Sequence, residues 1–269
     1  MSVITFLTDF GLEDDFVGTC HGVIARIAPE VRVLDITHGI RPGRVLQGAL
    51  MLANTLPYMP AGVHLAVVDP GVGGRRRSLA LRDREGRCYV GPDNGLLLPA
   101  ADRFGGVDAV HELANPQYAL PQVSRTFHGR DLFSPAAAHL ALGVPLDELG
   151  PPVDPDALVR LELPAPAVAA GRIRATVLAV DRFGNAALNL TRDDLERAAV
   201  VPGTTVEVDV AGNRFFAVAA RTFADARDGD LILYEDSYRN VAVAVSRGSA
   251  ATLLGLDEGS ELALHVGSP

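Results

Sequence analysis

Val3-Ile4-Thr5-Phe6-Leu7-Thr8-Asp9-Phe10-Gly11 is the stretch that decides the fold. Val3 to Leu7 reads as a buried strand, and it ends in the polar, glycine-containing loop Thr8-Asp9-Phe10-Gly11. Asp14 and Asp15 follow, and then Phe16, Cys20, Val23, Ile24 and Ile27 recur at helical spacing. Strand, polar loop and helix open an α/β unit, whose ligand site normally lies at the carboxyl ends of its strands. Asp9 stands at such an end, either as a binding group or as a turn or cap residue, with Asp15 competing for the cap.

The same alternation continues outward. Val31 to Ile36 is a second strand, Arg44 to Leu56 a helix stopped by Pro57, and Val63 to Val68 a third strand that delivers Asp69. Ser78–Arg82 and Cys88–Val90 flank the turn 83–87 and pair as a hairpin, and a helix is expected from about Phe133 to Leu142. The expectation is an α/β domain, residues 1–155, with a central mostly parallel sheet and helices on both faces. Proline-rich segments around Pro151 and Pro164 mark a linker, 156–170. Residues 171–269 then read as short strands separated by turn signals, which favours a small antiparallel all-β barrel or sandwich, with Thr191 capping one short helix.

Composition narrows the function classes. The 269 residues are 48% hydrophobic and 21% charged, a globular balance, and no apolar run is long enough to cross a bilayer. A net charge of −9 argues against sequence-independent nucleic-acid binding and suits a cationic ligand. The sequence contains no Lys, which removes the Walker lysine, the Schiff-base lysine and lysine nucleophiles together. Cys20 and Cys88 are too few for a disulfide framework or a thiolate zinc site and read as small buried hydrophobes. Without a recognisable secretory signal, a cytoplasmic protein is expected.

Four loops carry candidate chemistry. Val67-Val68-Asp69-Pro70-Gly71-Val72-Gly73-Gly74-Arg75-Arg76-Arg77 places a carboxylate and three guanidiniums at one strand end, in a turn that is neither a dinucleotide fingerprint nor a phosphate loop. Gly91-Pro92-Asp93-Asn94-Gly95 reads first as a β-turn. His128, in a Gly-flanked loop before a helix, is a candidate tuned acid or base. The other six histidines show no ligand spacing, so no metal site is expected. In the second half, Asp181-Arg182-Phe183-Gly184-Asn185 closes a strand, and with Phe223, Tyr234, Ser237 and Tyr238 it could hold a flat heterocycle with a polar tail, or simply supply barrel core and turns.

Taken in order, Thr8–Gly11, Val68–Gly73 with Arg76, Pro92–Gly95, Phe127–Gly129, Asp181–Asn185 and Ser237-Tyr238 resemble the S-adenosyl-L-methionine hydroxide adenosyltransferases, the adenosine-forming S-adenosylmethionine hydrolases related to fluorinase and chlorinase. The likeness runs from Ile4 to about Ala251. It implies an N-terminal α/β/α domain, a C-terminal barrel, and a homotrimer with sites between the N-terminal domain of one subunit and the C-terminal domain of its neighbour. It further implies cleavage of S-adenosylmethionine by water to adenosine and methionine, with Asp69, Arg76 and His128 catalytic and no cofactor. Asp9 falls where the ribose hydroxyls are held, Asn185 and Phe223 where adenine lies, and Asp181 and Ser237, beside Tyr238, at the methionine end.

The residue types suit that chemistry. The sulfonium departs neutral and needs no acid, whereas water, with a pKa of about 15.7, must be activated or held as hydroxide by positive charge. The halogenating relatives carry Tyr at the position of Asp69, and a carboxylate there would repel a halide. The short turn 83–87 lacks the fluorinase insertion, while Gly129 discriminates less, since chlorinase also has Gly there. Gly74, where Thr is frequent, and Arg239, where Gly is usual, depart from the pattern. The alternatives are a chloride adenosyltransferase and a non-catalytic adenosine or S-adenosylmethionine binding protein.

Overall fold

Residues 3–266 are described by the structure, a computed structural model. In β1 (Val3–Thr8), Ile4 and Phe6 bury against one layer and Leu7 against the other, which is why the strand carries almost no surface polarity. Around it lies a six-stranded sheet, ordered β2-β1-β3-β5-β4-β6, made with β2 (Arg32–Thr37), β3 (Val63–Val67), β4 (Ser78–Asp83), β5 (Cys88–Pro92) and β6 (Val107–Glu112). The pairings β1–β2, β1–β3 and β3–β5 are parallel, and β4 runs antiparallel to both β5 and β6. The mostly parallel sheet and the 78–92 hairpin are therefore present. On one face lie α1 (Phe16–Ile27) and α4 (Ser134–Ala141), and on the other α2 (Val45–Thr55) and α3 (Leu98–Asp102).

Two helix ends differ from expectation. The α-helix α2 ends at Thr55, just before Pro57, but the chain continues into a 3₁₀ turn, Leu56–Tyr58, where proline sits in the first turn and lacks only an N–H that would be unpaired anyway. Before α4, Gly129–Phe133 forms a π-helical turn. Inside the sheet, the fully buried His64 bonds through Nδ1 to Thr5 Oγ1 at 2.8 Å, its cross-strand neighbour. Burial pushes its pKa down to about 3, with the Arg87 charge a further cause.

The chain divides into two compact units between Leu161 and Glu162. The second unit contains β7 (Ala167–Ala169), β8 (Arg172–Val180), β9 (Ala186–Leu188), β10 (Thr205–Val210), β11 (Asn213–Ala219), β12 (Leu231–Glu235), β13 (Val241–Val245) and β14 (Glu261–Val266). Seven of them, β8 to β14, close into a barrel because β14 pairs with both β10 and β8. Its interior is packed with small and branched side chains such as Val206, Val208, Ala217, Val243 and Leu264. The barrel is not wholly antiparallel: β11 and β12 run parallel, joined by a connection that includes the 3₁₀ turn Phe223–Asp225. Thr191 does cap a helix, α5 (Arg192–Arg197), through a capping box with Asp194, and a second helix, α6 (Ala250–Leu254), starts at Ser249.

Candidate active site

Because β1 and β3 are parallel neighbours with Thr8 opposite Val67, Asp9 and, one residue further along its own strand, Asp69 both emerge at the carboxyl edge of the sheet. After Asp69 the chain makes two tight turns, Val72 N to Asp69 O and Gly74 N to Gly71 O, and doubles back so that Arg76 faces Asp69. Gly73 is indispensable to that path. Its φ is +74°, and a Cβ there would fall on the carbonyl oxygen of Arg125, in the segment leading to His128.

Arg76 is the hub. Its Nε donates to Asp69 Oδ1 and Oδ2 at 3.1 and 2.9 Å, Nη2 to Asp69 Oδ2 at 2.6 Å, and Nη1 to Ser78 Oγ at 2.6 Å. Nη2 also lies 2.7 Å from His128 Nδ1. The guanidinium sits above the Phe133 ring, and the Arg76 and Asp69 side chains are only 11% and 6% exposed. An Arg N–H can only donate, so His128 Nδ1 accepts and carries a lone pair, which assigns the imidazole as neutral. Burial, and next the Arg76 charge, hold the His128 pKa below its usual value, against the opposing pull of Asp69 and Asp131. Asp131, wholly buried, accepts from Ser124 N, and Ser124 Oγ accepts from Phe127 N, so the His128 loop is held from inside.

Asp9 accepts from the Gly43 amide at 2.8 Å; burial raises its pKa, with nearby Asp69 adding to the shift and the Gly43 bond opposing it. Phe10, Phe16 and Phe127 pack edge to face beside this rim. Not all three guanidiniums of the Arg75–Arg77 run join the cluster. Arg77 turns away to the buried Asp93, whose other oxygen accepts from Val159 N, and Arg75 is exposed. The Gly91–Gly95 loop acts as a brace: Asn94 Nδ2 donates to Val68 O, fixing the residue before Asp69. Ser78 is the group that sequence reading missed; its only signal is its place two residues beyond Arg76.

In the second unit, Asp181 and Asn185 share one turn. Asp181 Oδ1 accepts from the Phe183 and Asn185 amides, and Oδ2 from Asn185 Nδ2. The turn Asp236-Ser237-Tyr238-Arg239-Asn240 repeats that design, with Asp236 accepting from the Tyr238 and Asn240 amides and Arg239 at φ +72° where the first turn has Gly184 at +83°. Tyr234 joins the two regions. Burial first, then the charges of Asp181 and Asp236, push its hydroxyl up to about 12, and its ring packs 4.9 Å from that of Phe223. Ser237 and Tyr238 are exposed on the second turn.

Two of the histidines without ligand spacing do meet. His21 and His38 converge on Asp35, far apart in sequence but adjacent in the fold.

An α/β sheet with a carboxylate and a guanidinium largely buried at its strand ends beside a half-buried imidazole, followed by a β-barrel, defines a two-part chain with a small-molecule site of enzymatic type. The N-terminal domain description of the SAM hydroxide adenosyltransferases matches residues 4–150, and their C-terminal domain description matches residues 175–263. The chain belongs to the SAM hydroxide adenosyltransferase family. It is 51% identical over 264 residues to an (R)-S-adenosyl-L-methionine hydrolase of Salinispora arenicola, covering 98% of each chain. It is 30% identical to a fluorinase of an Actinoplanes species, covering 90% of each. A crystal structure of an uncharacterized conserved protein from Thermotoga maritima matches it with a TM-score of 0.90 at 34% identity, covering 97% of this chain and 99% of that one.

Proposed function

We propose that this chain hydrolyses S-adenosyl-L-methionine at C5′, giving adenosine and L-methionine. The observation that carries the mechanism is the single Arg76 guanidinium bridging Asp69 and His128. Water attacks C5′ as the C5′–S bond breaks; the bonding pair leaves on sulfur, which becomes the neutral thioether of methionine. The nucleophile's proton must go to a base. The Nδ1 lone pair of His128 is occupied by Arg76, so the free lone pairs of the cluster are on Asp69, whose Oδ1 accepts only one long bond. Asp69 thus orients the water and receives its proton, and Arg76 stabilises the hydroxide character that develops. His128 holds the guanidinium at the angle this requires. No cofactor enters the scheme, because the sulfonium is already activated.

The halide reading is weaker on the same geometry, since the Asp69 carboxylate would face the incoming anion. The other site residues are assigned by the same reading: Asp9 to the ribose hydroxyls, Asn185 and Phe223 to adenine, and Asp181, Ser237 and Tyr238 to the methionine end. We place the enzyme in the cytoplasm as a homotrimer whose site draws on the first unit of one chain and the barrel of its neighbour.

The test is incubation with S-adenosylmethionine, with and without chloride, and product separation by liquid chromatography with mass detection. Adenosine and methionine formed at a rate indifferent to chloride are expected. A 5′-chloro nucleoside refutes the hydrolase reading, and tight calorimetric binding without product moves the chain to the binding proteins. For the shared site, Asp69→Asn and Phe223→Ala proteins are each inactive alone, and activity recovered on unfolding and refolding them together supports the trimer. A stable, fully active monomer refutes it.

A further inference from the structure

The cluster at His21, Asp35 and His38 uses none of the residues assigned above. His21 is on α1, Asp35 on β2 and His38 in the loop that follows. His21 Nε2 lies 2.9 Å from Asp35 Oδ1, and His38 Nε2 lies 3.1 Å from the same oxygen. The three donor atoms are within 4.8 Å of one another.

His38 is the telling member. It is 5% exposed, packed edge-on against Phe6, and tied through Nδ1 to Thr8 Oγ1 at 2.8 Å. That bond orients the ring so that the buried Nε2 points at Asp35 Oδ1, 3.1 Å away. With Nδ1–H donated to Thr8, Nε2 turns a lone pair on the carboxylate and a cation shared between the two groups would join them; with Thr8 donating instead, Nε2–H bonds to Asp35 and no ion is held.

We propose that His21, Asp35 and His38 form a site for a divalent cation of the zinc type. Zinc bound to nitrogen and oxygen at about 2.0–2.2 Å sets ligand atoms roughly 3.3–3.5 Å apart in a tetrahedron. Two edges of that figure stand here at 2.9 and 3.1 Å, so an ion enters by a spread of a few tenths of an ångström. Two imidazoles and one carboxylate select zinc, cobalt or nickel over magnesium and calcium. Entry is from the solvent side, where the His21 and Asp35 side chains are 34% and 43% exposed, and water completes the coordination. The ion would clamp α1 to β2 and to the loop whose His38 carbonyl accepts from Gly11 N, just beyond Asp9.

The test uses the tag-free full chain, stripped with a chelator and dialysed. Zinc is titrated against a chromophoric competitor, and cobalt is followed by its visible absorption. One equivalent per chain is expected, with a tetrahedral cobalt spectrum. Asp35→Asn and His21→Ala, both on the exposed side, are expected to weaken zinc binding by about 100-fold or more and to abolish the spectrum, while His139→Ala leaves both unchanged. Circular dichroism confirms that the variants are folded. The proposal is overturned by a chain that takes up no stoichiometric ion, or by binding that survives Asp35→Asn and His21→Ala.

Discussion

Replacing Arg76 by Lys isolates the contribution of the planar fork from that of charge. Arg76→Ala is the cruder probe, because it leaves Asp69, 6% exposed, without its partner, and stranding a buried carboxylate costs roughly 3–5 kcal/mol of stability. Lys keeps the positive charge next to Asp69. What it loses is geometry: one ammonium cannot reach both Asp69 oxygens, Ser78 Oγ and His128 Nδ1, which the guanidinium contacts from three nitrogens. If the bridge is what positions the nucleophile and stabilises its developing charge, the loss resembles removal of one transition-state donor, about 100- to 1,000-fold in kcat, or roughly 2.7–4 kcal/mol. KM should move by less than about threefold, since the substrate itself is held elsewhere. Steady-state adenosine release at saturating S-adenosylmethionine measures the first, and a substrate series the second. A Lys variant within about fivefold of the parent kcat refutes the reasoning: charge alone would then suffice.

The lowered pKa of His128 gives a second prediction, that kcat/KM stays flat to a pH below the usual ~6.5 and falls only when the imidazole protonates and repels Arg76; an acid limb centred above 6.5 contradicts it. His64 links acidity to stability. The unfolded chain takes the proton near pH 6.5 while the folded one resists to about 3, so stability is full above 6.5 and falls by roughly 1.4 kcal/mol per unit below it, about 2 by pH 5. Urea midpoints at the two pH values measure this, and His64→Gln should remove most of the difference. Gly73→Ala should cut turnover by at least about 100-fold with the barrel intact, because the 69–76 turn can no longer lie against Arg125; parental activity would show the turn to be pliable. Arg239→Gly should raise the melting free energy by about 1 kcal/mol by relieving a left-handed backbone, read by denaturant titration.

What could be read without coordinates follows from periodicity and from local chemistry. Strands buried on both faces advertise themselves as unbroken apolar runs, and Val3–Leu7 and Val63–Val68 therefore defined the sheet and the two strand ends at Asp9 and Asp69. Glycines flagged the tight turn at 71–74. The parallel β11–β12 pair was hidden, because a loop such as 220–230 has the same composition whether it returns as a hairpin or crosses. The destination of each arginine in the 75–77 run was equally invisible: Asp93, which takes Arg77, lies on a different loop. Only the left-handed backbone of Arg239, φ +72°, shows the position to be one that suits Gly. The meeting of His21 with His38 depends on how α1 lies over β2, a long-range fact that no local spacing encodes.

The closure of the barrel has a consequence for synthesis. β8 and β14 are neighbours in space, yet Arg172–Thr176 must wait for Glu261–His265 before that seam can form. During translation the first unit can complete its sheet as soon as residue 112 has left the ribosome, while the barrel stays an open, curling ribbon with two bare edges until the 261–266 segment arrives. A ribosome stalled after Leu161 but before that point holds a finished α/β unit followed by an unsealed sheet, so nascent-chain quality control would have its substrate in the second half of the protein.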